Sequence, residues 1–103
     1  MNWNDALKLL DEGKAVRKTT WRRDSFIFIR PAEKFKVDQV SKFKSIPEDA
    51  KNAIVKFSNG RDVFFHKQIA YCARRPDGTG LYLAPFIVQS MHTRSLDWEQ
   101  VND

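Results

Sequence analysis

Trp3, Ala6, Leu7 and Leu10 recur at i, i+3, i+4 and i+7 with polar residues between them, which predicts a helix with one buried face. Asn2 or Asn4 can accept a backbone N–H at its start, and Asp5 suits the positive end of the helix dipole. Gly13 is placed to end the helix in a left-handed conformation. Leu9 lies off the buried face and needs a second apolar neighbour. The period then shortens. Ala15 to Lys18 reads as a short strand, and Thr19 to Asp24 as a polar connection carrying Trp21. Ser25 to Arg30, SFIFIR, is apolar on both faces, which marks a central strand covered on each side and stopped by Pro31. Phe35 and Val37 alternate with Lys36 and Asp38, as in a half-buried strand. From Val40 to Ala53 neither period holds: Val37, Val40 and Phe43 fit one side of a helical turn, and Pro47 breaks whatever precedes it.

Ala53 to Ser58 and Asp62 to Phe65 flank Asn59-Gly60, which predicts a tight hairpin. Ile69 to Arg74 and Gly80 to Ala84 flank Pro76-Asp77-Gly78-Thr79, a second turn. A short helix is expected from about Phe86 to Met91, and a last strand from Leu96 to Val101. The chain therefore reads as α+β: an N-terminal helix packed on a mostly antiparallel sheet of five to seven short strands, with a short C-terminal helix and strand. Trp3, Leu7, Leu10 and Trp98 are the expected core. The sequence shows no repeat or linker, so residues 1–103 read as a single domain.

Charge narrows the partners. Eighteen Lys and Arg against thirteen Asp and Glu leave a net charge of +5, which favours nucleotides, nucleic acid or acidic protein surfaces. The segment Lys14 to Arg23, KAVRKTTWRR, concentrates five cations around one tryptophan with no acid. A ring can stack on a base while a guanidinium grips a phosphate in paired hydrogen bonds. The same segment also reads as a core tryptophan with a solvated strand face. Aromatic residues make up 13% of the chain, more than a small single core readily hides, which points to a dimer or tetramer. Cys72, as a single cysteine, excludes an internal disulfide and fits a reducing compartment. The N-terminus does not read as a signal peptide and no stretch reaches the length of a membrane span, so the expected location is cytoplasmic, without membrane association.

Candidate chemistry is sparse. His66 and Cys72 could share a strand face, but a thiolate–imidazole pair also needs contact and an orienting third group. His66, His92 and Cys72 lack metal-ligand spacing, so neither a metal nor a cofactor is expected. Glu48 and Asp49 beside Pro47 read as turn residues. No phosphate-binding loop, dinucleotide fingerprint or nucleophile elbow occurs. A binding protein is therefore expected, not an enzyme.

The opening reads N-W-x-x-A-L-x-x-L-x-x-G-K-x-V-R-x-x-x-W from Asn2 to Trp21. A D-G-T turn follows at Asp77 to Thr79, then Pro85-Phe86, and Asp97-Trp98 near the end. This order resembles the Thoeris anti-defence 2 family, small phage and prophage domains. The likeness covers about the first twenty and last twenty-five residues, and is weak from Phe35 to Phe65. It implies a homo-oligomeric sponge that binds a cyclic nucleotide-type immune signal, such as glyco-cyclic ADP-ribose or a cyclic oligonucleotide, and withholds it without cleavage. It implies pockets formed between protomers. By the same likeness Trp21 is a ligand-facing ring, with a core tryptophan capping the helix as the alternative, and Arg17 is a phosphate contact or a strand charge. Arg22 and Arg23 stand where relatives often carry small or polar residues. Phe86 stands where they often carry Trp. Gln89, Ser90 and His92 fall in a segment where relatives often read S-Q-x-D, and His92 in place of an acid suits a more anionic ligand. Two other functions fit the composition: a small basic nucleic-acid binder with Trp21 and Tyr71 stacking bases, and a protein–protein inhibitor or virion-associated protein with an exposed aromatic patch.

Overall fold

Helix α1, Trp3–Asp11, starts at Asn2, whose side-chain oxygen accepts the Asp5 N–H at 2.9 Å. It ends just before Gly13, which takes φ +85°. The computed structural model describes residues 1–102. Seven strands follow in order with three further helices, and the fold is α+β. Contacts group the described chain into two compact units: Met1–Arg30 with the chain from Gln68 onward, and Pro31–Lys67.

The first unit is a five-stranded antiparallel sheet in the order β6-β5-β2-β1-β7. Its strands are β1 (Val16–Lys18), β2 (Phe26–Arg30), β5 (Gln68–Arg74), β6 (Leu81–Pro85) and β7 (Trp98–Gln100). The strand read as central is central: β2 lies between β1 and β5. Opposed residues share a face, so Ile27, Tyr71 and Ala84 line one side, and Phe26, Cys72 and Leu83 the other. Helix α1 covers the first side. Trp3, Ala6 and Leu10 pack with Val16, Ile27 and Trp98 in one buried cluster, and Leu7 and Leu9 are half-buried against it. Leu9 thus has its second apolar neighbour. Coverage of β2 on both sides is only partial, because Phe26 and Phe28 stay half-exposed on the second face.

The hairpin read at Pro76 to Thr79 forms. Arg75 N–H donates to the Gly80 carbonyl at 2.7 Å, and Gly78 takes φ +76°. The helix expected from Phe86 begins later, as α4 (Ser90–Arg94). The Phe86 N–H still donates to the Ile69 carbonyl at 2.9 Å, which holds that residue extended beside the sheet.

The second unit pairs β3 (Glu33–Phe35) with β4 (Val63–Phe65), and carries α2 (Val37–Val40) and α3 (Glu48–Ser58). Val37 and Asp38, read as part of a half-buried strand with Phe35, are instead helical, and β3 ends two residues before Val37. Rings of Phe35, Phe43 and Phe65 meet at 4.7 to 6.1 Å, and Val40 is fully buried. The hairpin expected at Asn59-Gly60 is replaced by a helix end: Asn59 sits in the left-handed region at φ 53°, ψ 44°. Asn and Gly tolerate positive φ in either setting, so the deciding signal lies upstream. Pro47 precedes the helix, Glu48 and Asp49 occupy its first turn, and Ala50, Ile54 and Ser58 recur four apart on its half-buried side. Glu48 and Asp49 are thus helix-start residues and not turn residues. Among the described residues no helix is long and apolar enough to cross a membrane.

Candidate functional site

Trp21 follows β1 in a tight turn, its N–H donating to the Lys18 carbonyl at 3.0 Å. The half-buried ring packs against the α1 cluster and meets three others edge-on: Tyr71 at 5.5 Å, Trp98 at 5.5 Å and Phe86 at 6.0 Å. The ring thus packs against the core, as the core reading expects, and its half-burial leaves part of its surface open. Tyr71 and Phe86 stack on each other at 6.1 Å. His92 lies 4.8 Å from Phe86 and 6.3 Å from Trp98. Buried Trp98 satisfies its indole N–H by donating to the His92 carbonyl at 3.0 Å, tying α4 to the core.

Helix α4 orients His92. Gln89 N–H donates to Nδ1 at 3.0 Å, so the neutral ring carries its proton on Nε2. Burial, and then the nearby Lys18 charge, push the imidazole below the ordinary histidine range. Gln89 and Ser90 are exposed, and the Ser90 carbonyl accepts from the Thr93 hydroxyl at 2.9 Å. Trp21, Phe86 and His92 are thus brought together, while Gln89 and Ser90 line the same short helix start.

Arg17 is engaged elsewhere. It faces Glu99 across the β1–β7 ladder, with Nε 3.0 Å from Oε1, and it donates to the Arg23 carbonyl at 2.6 Å. Only 13% of its side chain is exposed. Strand alternation puts it on the sheet face opposite Val16, whereas Trp21 packs on the Val16 side. Its present bonds position the Trp21–Asp24 connection.

Arg22 and Arg23 project from that connection. A depression of about 590 Å³ is lined by both, with Asp24, Phe26, Arg74 and Val101. A second, of about 290 Å³, is lined by Arg22, Arg74, Arg75, Ser25, Tyr71 and Tyr82, with Ala73 and Pro76. Arg22 and Arg74 form the ridge common to both. Two carboxylates hold the added arginines: Asp24 Oδ2 takes Arg74 Nε at 2.8 Å, and Asp77 lies 3.4 Å from Arg75. The Thr79 hydroxyl and then its N–H bond Asp77 and keep its carboxyl below the usual range.

Arg74, Arg75, Ser25 and Tyr82 were not singled out from the sequence. Adjacent arginines beside a turn are common surface chemistry. Only the pairing of Phe26 with Cys72 reveals that the end of β5 lies beside the start of β2. Cys72 is buried, and burial, then the Asp24 charge, raise its thiol pKa, which makes it a poor nucleophile at neutral pH. Among the described residues no group of three or more His, Cys, Asp or Glu is placed to hold a metal ion. No family model matches the sequence, and no curated protein matches it either.

Proposed function

We propose that this protein is a phage-type anti-defence sponge of the Thoeris anti-defence 2 kind, which sequesters a cyclic nucleotide immune signal in the host cytoplasm without cleaving it. One observation carries the reading. Tyr71 joins the two halves of a nucleotide site: its ring meets Trp21 at 5.5 Å and lines the depression that holds Arg22, Arg74 and Arg75. Rings supply stacking surface and guanidiniums supply phosphate contacts. In this reading Trp21 and Phe86 face the base, Arg22 and Arg23 the phosphates, and Gln89, Ser90 and His92 close the site. The neutral His92 and the surrounding cations suit an anionic ligand. Arg17, bonded to Glu99 and to the Arg23 carbonyl, supports the connection that carries Arg22 and Arg23.

The assembly proposed is a dimer or tetramer. Edge strand β6 exposes Leu81 and Leu83, and Ile87, Met91 and Leu96 beyond it are more than half exposed. Such an edge invites pairing with a second copy.

The test is calorimetry with glyco-cyclic ADP-ribose and a panel of cyclic di- and trinucleotides, followed by heat release and mass spectrometry. Binding with intact release supports sequestration. A cleaved product at catalytic turnover makes the protein an enzyme. Tight, salt-sensitive binding of a single-stranded oligonucleotide in preference to every cyclic nucleotide makes it a nucleic-acid binder.

A further inference from the structure

The 290 Å³ depression gathers arginine and hydroxyl groups that lie outside the α1 core cluster. Ser25 forms part of its lining and is only 5% exposed as a residue, and its hydroxyl is not among the buried side-chain atoms left without a partner; among the described residues that atom is Asp24 Oδ1. The Ser25 hydroxyl is a neutral donor in the lining of the depression, the kind of group that adds a hydrogen bond to an anion already held by cations. Arg22 stands at the rim, exposed, with no ion-pair or hydrogen-bond partner for its guanidinium among the described residues. Arg74 and Arg75 are different. Their pairs with Asp24 and Asp77 fix where their guanidiniums sit while leaving each more than half exposed. A guanidinium has five N–H donors, so one carboxylate does not exhaust it. Three arginines thus line one depression, one of them without a counter-ion among the described residues, together with the Ser25 hydroxyl.

We propose that Arg22, Arg74, Arg75 and the Ser25 hydroxyl form a phosphoryl-binding site, and that Tyr71 and Tyr82 make it selective for a nucleotide over free phosphate. The two tyrosine rings lie 6.3 Å apart at 61° and wall one side of the depression. A phosphoryl group alone leaves that wall uncovered, whereas an attached base stacks against it. The site rests on the nucleotide reading above for its ligand class. It deepens that reading by placing the phosphate contacts on Arg74 and Arg75 at the end of β5 beside Arg22, with the Ser25 hydroxyl, rather than on Arg22 and Arg23 alone.

Isothermal titration of the full chain with ADP and with inorganic pyrophosphate tests it. Both should bind, ADP more tightly, with affinity falling as salt rises. Arg22→Gln should weaken both by about tenfold or more, since it removes a charge-assisted contact. Its melting temperature should match the parent, because Arg22 bonds to nothing that the change would break. Arg75→Gln should act in the same direction. Tyr82→Leu should weaken ADP by about tenfold and leave pyrophosphate unchanged. No binding of either probe at millimolar concentration, or parental affinity in both Arg variants, overturns the site. Equal losses for ADP and pyrophosphate in Tyr82→Leu overturn the tyrosine wall. Cyclic nucleotide binding that needs Trp21 but is untouched by both Arg variants removes this site and leaves sequestration standing. ADP binding lost in Arg22→Gln, with no cyclic nucleotide bound by the parent, supports this site and removes sequestration.

Discussion

Replacing Trp21 by alanine separates its two roles by measuring both. Truncating a fully buried aromatic ring costs about 3–5 kcal/mol. Trp21 is half-buried, so about half of that transfer and cavity cost applies. The three edge-on ring contacts that the substitution also removes are already part of that measured cost and place the loss toward its upper end. A loss of about 2–3 kcal/mol follows, which moves a urea midpoint by about 1–2 M for a chain of this size. Trp21→Phe, which keeps a ring edge against Tyr71 and Trp98, should lose about half as much. Under conditions where the variant is still folded, its affinity for a nucleotide ligand should also fall about tenfold to a hundredfold. Equilibrium urea unfolding followed by far-UV circular dichroism, paired with calorimetry, gives both numbers. A stability loss under about 0.5 kcal/mol would refute the packing argument, since that is the range of an unengaged surface position. Parental affinity in the folded variant would move the ligand away from this ring.

Leu10→Ala should cost about 2–5 kcal/mol, and half-buried Leu7→Ala about half as much, in the same unfolding assay; equal losses would contradict the helix orientation. His92 has a folded pKa below its unfolded value, so the unfolded state takes up a proton first as pH falls. The stability contribution is complete above about pH 6.5 and is lost as pH drops through the lower folded value. Unfolding midpoints at stepped pH should show this loss, and His92→Asn, which offers Gln89 an acceptor without titrating, should flatten it. Asn59→Val forces a β-branched residue into the left-handed region and should cost about 1–2 kcal/mol, whereas Asn59→Gly should be neutral or stabilising by thermal melt.

Local rules read the first unit well because its signals are short-range. Helix α1 carries its own cap, period and stop, and the β5–β6 hairpin carries Pro76-Asp77-Gly78-Thr79. The second unit defeated them at Asn59-Gly60, where one dipeptide serves a hairpin turn or a helix end equally. Periodicity upstream decides between these, and it is weak in α3, which buries none of its residues fully. The candidate site was half legible. Trp21, Arg22 and Arg23 stand out in a basic stretch, whereas Arg74, Arg75 and Ser25 join them only through the β2–β5 pairing, a contact between residues nearly fifty positions apart. Arg17 reads as a phosphate contact or a strand charge from its place in the opening motif; its pairing with Glu99, eighty-two positions away, is visible only in the fold.

Strand β6 carries Leu81 and Leu83 on one side and Tyr82 on the other, at the open edge of the sheet. Tyr82, which lines the arginine depression, is therefore bracketed by the leucines that the proposed second copy would cover. If the proposed self-association and ligand binding both occur, they act on one short piece of backbone, and an order imposed by one would lower the ordering cost of the other. By reciprocity, affinity should rise with protein concentration, and ligand should shift the population toward the assembled form. A sequestering protein built this way has a threshold. It captures little while scarce and captures avidly once enough copies accumulate.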